Sequence, residues 1–134
     1  MLMRKYWLVA FVFCSAIFAQ EKEAAKSAVA PKYPPLAVSS RISGDVTVRC
    51  FLGHSGEVIR AEVLDGHPLL KIAAAEAAQK WKFERSSADE RTAVVKFEFR
   101  LLPEGARADS EITFLPPNEI RVEQRPVKPP VNYR

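Results

Sequence analysis

The chain has 134 residues, with 20 Lys and Arg against 16 Asp and Glu for a formal net charge of +4 at pH 7. That length holds one small domain with room for tails, and so mild a basic excess does not argue for nucleic acid as a partner. Cysteine numbers only 2, Cys14 and Cys50, which leaves no basis for a disulfide framework or a cysteine-rich metal site.

Arg4 and Lys5 precede a mostly apolar run from Tyr6 to Phe18, and Ile17-Phe18-Ala19 closes it with a small residue. This is the order of a secretory signal, and the run falls short of the roughly 20 residues of a membrane-spanning helix. Residues 1–19 are therefore expected to be a cleaved signal peptide, with a periplasmic mature chain starting at Gln20. The alternative is retention of the same segment as an inner-membrane anchor. Phe13 before Cys14 does not fit a lipoprotein signal. Cleavage removes Arg4, Lys5 and Cys14, which lowers the net charge to +2 and leaves Cys50 without a second thiol in its chain.

Residues 20–30 are rich in Glu, Lys, Ala and Ser, lack apolar periodicity and read as a linker. From residue 45 the pattern alternates, with Val46, Val48, Cys50 and Leu52 on one face and Asp45, Thr47, Arg49 and Phe51 on the other, as in a strand with one buried side. Gly53-His54-Ser55-Gly56 makes a hairpin turn to a second strand, Glu57 to Leu64. Pro68 suits the first turn of a helix, and Leu70, Ala74, Ala77 and Trp81 then recur at helical spacing. After polar residues 86–91, a third strand from Thr92 to Leu102 sets Val95, Phe97, Phe99 and Leu101 against Val94, Lys96, Glu98 and Arg100. The expected fold is α+β: a small three-stranded antiparallel sheet in the order β-β-α-β with the helix on one face, over residues 31–102. If the first strand is central, the third lies at an edge. Residues 103–134 hold six of the 10 prolines and form a Pro-rich tail, in which Glu111 to Leu115 and Ile120 to Glu123 can pair as a short hairpin.

Tyr33-Pro34, Gly44-x-Val46-x-Val48-x-Cys50, Gly56-x-Val58, Gly66-His67-Pro68-Leu69-Leu70 and the alanine-rich segment ending in Trp81-Lys82-Phe83 follow one another at a distinctive spacing. In this order they resemble the C-terminal domain of TonB, the periplasmic module that grips outer-membrane receptors. Arg85 departs from the pattern, since family members commonly carry proline two residues after the aromatic that ends the Trp-x-aromatic motif. The resemblance implies a protein-binding module linked to transmembrane transport, with no cofactor, that recognises an outer-membrane receptor or other extended peptide by strand addition. It places the acceptor on the third strand, at Ala93, Val94, Val95, Lys96, Phe97, Glu98, Phe99, Arg100 and Leu101. Tyr33 and Pro34 join them where the chain enters the domain. Lys96 and Arg100 would favour an acidic or polar segment, and an edge strand would also allow a homodimer.

Two other functions compete with this one. An anchored energy transducer would keep Tyr6 to Phe18 in the inner membrane, yet its spacer, Gln20 to Lys32, spans at most about 45 Å fully extended. A structural or regulatory envelope protein would have its edge strand blocked by its own tail, with Glu111 to Leu115 or Ile120 to Glu123 folding back near residues 93–101. Enzyme chemistry has little support. His54 and His67 flank the second strand about 20 Å apart, Gly53-His54-Ser55-Gly56 lacks the spacing of a nucleophile elbow, and Cys50 among valines is expected to be inert.

Overall fold

In the computed structural model, which describes residues 23–127, the alternation beginning at Gly44 is realised as a central strand. The elements run β1 (Ala25–Ser27), α1 (Pro35–Ser39), β2 (Gly44–Leu52), β3 (Val58–Asp65), α2 (Pro68–Gln79), β4 (Lys82–Phe83), β5 (Arg91–Leu101), β6 (Ser110–Leu115) and β7 (Glu119–Gln124). The expected signal peptide, residues 1–19, lies outside the described residues.

Val46, Val48 and Cys50 of β2 are all fully buried, as period-2 patterning requires. β2 pairs antiparallel with β3 on one side and β5 on the other. In the turn between β2 and β3, Gly56 has φ +88°, and a Cβ there would sit 1.9 Å from the Phe83 carbonyl oxygen, so only glycine fits. The helix α2 starts as its sequence dictates. His67 caps it, its Nδ1 accepting from the Leu69 N–H at 3.1 Å, and Pro68 fills the first turn. Leu70, Ala74, Ala77 and Ala78 face the sheet.

The sheet has five strands in the order β3-β2-β5-β7-β6, and β7 runs parallel to β5. This corrects the expected three-stranded antiparallel sheet and removes β5 from the edge. The tail supplies the two extra strands: β6 and β7 form a hairpin whose second strand lies inside the first. One of the two tail segments open to folding back, Ile120 to Glu123, does return to β5, but its parallel register was hidden in the sequence because β7 alternates only two aliphatic residues, Ile120 and Val122, with Glu119, Arg121 and Glu123. Both aliphatic side chains are buried, and they extend the core over Phe97 and Phe99.

Residues 23–30, the described part of the expected linker, are bound to the domain. β1 pairs with β4, and Glu23 meets the buried Arg91 guanidinium at 2.9 Å. Arg91 also donates to the Gly53 and Glu84 carbonyls, so one side chain joins the N-terminal segment to the ends of β2 and β4. α1 was likewise unread behind Tyr33-Pro34-Pro35, and it buries Ala37 and Val38.

Trp81, just beyond α2, is the centre of the core at 0% exposure. Its ring stands edge-on to Phe97 at 5.7 Å and lies 6.2 Å from Phe83, and its Nε1–H donates to the Val29 carbonyl at 2.9 Å. Aromatic contacts of this geometry add to area burial. Cys50, fully buried with its thiol pushed up to about 11 by desolvation, is chemically quiet. Trp81→Ala is expected to lower stability by about 3 to 5 kcal/mol, read as a fall in the denaturation midpoint. Trp81→Phe should cost less while still releasing residues 25–29, which a protease assay on that segment would detect.

Candidate partner-binding edge

Strand addition needs a row of backbone N–H and C=O groups that no neighbour has taken. Along β5 the groups facing β7 belong to alternate residues. Lys96 N–H donates to the Asn118 carbonyl at 3.0 Å and Leu102 N–H to the Gln124 carbonyl at 2.9 Å, with Glu98 and Arg100 in phase between them. Thr92 and Val94 are in the same phase, but the pairing with β7 begins only at Lys96. Their outward N–H and C=O groups therefore form a short open stretch of the same edge. Val94 is 50% exposed beside it.

The sheet has two outer strands. β3 is a poor template, because register shifts against β2 leave Ile59 and Leu64 without opposite partners, and both side chains are exposed. β6 pairs with β7 over six consecutive residues without a shift. It carries Ile112 and Phe114, both exposed, on the helix side.

The sheet face opposite the helix holds a connected set of charges. Lys96 Nζ lies 3.6 Å from Asp45 and 3.7 Å from Glu119. Arg100 reaches Asp45 at 3.2 Å and Glu98 at 2.7 Å, and Arg121 donates to the other Glu98 oxygen at 3.0 Å. Glu98 is the centre of this set, its side chain only 10% exposed. Desolvation pushes its carboxyl up, but the hydrogen bonds from Arg121 and Arg100 and their charge outweigh that, and the group ends below its usual range.

The residues expected to meet a partner are divided by the fold. The side chains of Ala93, Val95, Phe97 and Phe99 are buried in the core and their backbone groups point to β2, so these four residues are closed to a ligand. Leu101 is half-buried. Lys96 and Arg100 project from the open face as expected, but Asp45, Glu98 and Glu119 already engage them. Tyr33 is 3% exposed, its hydroxyl donating to the Ile42 carbonyl and its ring edge-on to Phe99 at 5.3 Å, a core position closed to a partner. Pro34, half-buried, precedes α1 as its N-cap. Glu98 with Arg121 was not foreseen as a pair, since the sequence shows only two alternating charged faces 23 residues apart. Among the described residues no three His, Cys, Asp or Glu side chains gather as a metal site, and His54 pairs instead with Asp89.

The family model for the Gram-negative bacterial TonB protein C-terminal matches residues 29–101, more than half of the chain. The chain belongs to the TonB C-terminal family. This is a transport-associated protein-interaction domain of the bacterial envelope, whose members interact with outer-membrane receptors. No curated protein matches the chain. No helix among the described residues is long and apolar enough to cross a membrane. The TonB match stops at Leu101, the last residue of β5, so β6 and β7 lie wholly beyond it.

Because the folded-state pKa of Glu98 is depressed, its contribution is present above its ordinary value of 4.5 and is lost as pH falls through the lower folded value. Taking the protein from about pH 6 to about pH 3 should lower the hydrogen-exchange protection factors of Ile120, Val122 and Gln124 before those of the β2–β5 ladder. Glu98→Gln should remove most of that pH dependence.

Proposed function

We propose that this TonB-like domain acts in the periplasm as a peptide-binding module. It takes up an extended segment of an outer-membrane receptor, or of a related envelope partner, as a strand along β5, in support of transmembrane transport. The acceptor is the backbone from Ala93 to Leu101. The observation that carries the proposal is the state of that strand: it is the last element of the family match, its edge is open at Thr92 and Val94, and the rest is covered only by the chain's own tail. Backbone pairing supplies the affinity, and the positions opposite Lys96, Glu98 and Arg100 supply the selectivity. Pairing of two copies would fall to β6, the outer strand without a bulge.

A second reading is favoured by the same tail. If β7 never leaves β5, the protein is a structural or regulatory envelope component whose acceptor edge is permanently filled. Titration of the labelled full-length protein with synthetic N-terminal segments of outer-membrane receptors separates the two by NMR. Strand addition predicts shift changes in the amides from Thr92 to Leu101, with those of β3 unmoved. Unchanged β5 amides at saturating peptide would favour the filled-edge protein.

A further inference from the structure

We infer that β7 stands in for the partner, and that the edge of β5 is built for a parallel strand reading acidic, aliphatic, basic, aliphatic, the order of Glu119-Ile120-Arg121-Val122. The inference rests on the strand-addition reading above and specifies its ligand.

The register states the demand of each position. Lys96 stands opposite Glu119, Phe97 opposite Ile120, Glu98 opposite Arg121 and Phe99 opposite Val122. On the core side, Ile120 and Val122 are 3% and 4% exposed and shield the phenylalanines. On the open side, Lys96 and Arg100 keep Asp45 as a partner whether or not β7 is present. Glu98 does not fare as well. Under a strand that covers the edge without a cation at this position, the almost buried carboxylate would retain Arg100 alone, and an under-compensated buried charge is strongly unfavourable. The strongest electrostatic demand of the edge is therefore for a cation opposite Glu98, whereas the sequence had suggested an acidic or polar segment for Lys96 and Arg100.

The tail's hold on the domain resembles that of a bound peptide. β7 meets β5 through one six-residue ladder, and β6 touches the sheet only through β7. Asn118 fixes the near end by bonding the Glu23 carbonyl and the Ala25 N–H, and Phe114 reaches Trp81 at 6.4 Å between ring centres. Thr92 and Val94 offer an incoming strand a foothold beside the end of β7, from which it can pair residue by residue as β7 withdraws. A tethered strand competes at high effective concentration, and apparent affinity falls in proportion to the fraction of molecules with the edge free.

The test uses the full-length chain, wild type and Arg121→Glu, with a labelled synthetic peptide of the sequence Pro117 to Gln124 as probe. R121E sets two carboxylates face to face and should release β7. It is expected to bind the probe at least about tenfold more tightly than wild type, to lose exchange protection at Lys96, Glu98 and Arg100, and to regain it when the probe is added. A probe with Glu in place of its arginine should not bind. Equal affinity of wild type and R121E for the probe, or indifference to the arginine exchange, would overturn the inference. Should R121E not fold, R121Q removes the ion pair without reversing the charge and should give the same order with a smaller ratio. Receptor segments carrying the four-residue pattern form a separate arm. If the probe binds R121E and those segments do not, the tail's occupancy of the edge stands and the receptor reading is overturned.

Discussion

The outer side of β5 presents the backbone groups of Lys96, Glu98, Arg100 and Leu102 in a row, directly above the rings of Phe97 and Phe99. A strand in that position must have its N–H and C=O groups paired or hydrated, while the aromatic rings beneath are stabilised only when water is excluded. Both requirements are met by one neighbour, β7, whose backbone completes the ladder and whose Ile120 and Val122 close the core. The ion pair between Glu98 and Arg121 fixes which residue faces which, since a one-residue slip would turn the aliphatic side chains outward and bring Glu98 opposite an aliphatic residue.

The rest of the molecule supports that strand from the other direction. β2 pairs with β5 from Arg91 to Phe99, α2 packs over Val46, Val48 and Val95, and Trp81 wedges between Phe97 and Phe83. The N-terminal segment is drawn in by the same residues, through Trp81 to Val29 and through Arg91 to Glu23. β5 is thus a rigid template, paired with β2 on one side and with the tail on the other. On the proposed function, a receptor segment would have to present chemistry similar to the tail's to take that edge.

The parts of the fold that are local and strongly periodic were legible in the sequence. Val46 to Leu52, Leu70 to Trp81 and Val95 to Leu101 each announce their element, because a buried face repeated over several turns or pleats leaves a pattern. α1 and β1 left none: five helical residues after two prolines and a three-residue strand are too short to show a period. β7 was visible only as two aliphatic residues among charges, and nothing within six residues indicates whether such a strand will pair in parallel with one twenty residues earlier. For the same reason β5 was legible as a strand that the tail could cover, but the parallel ladder that covers it was not. Lys96 and Arg100 looked free in the sequence because Asp45, which holds both, comes fifty residues before them.

The central claim, that the chain's own tail fills the outer edge of β5 beyond Val94, is tested most directly by residue-resolved hydrogen exchange on the unliganded full-length protein. The amides of Lys96, Glu98, Arg100 and Leu102 should be strongly protected while those of Thr92 and Val94 exchange quickly, with backbone NOEs linking Glu98 to Arg121. Fast exchange along the entire outer side of β5, from Thr92 to Leu102, would contradict the account.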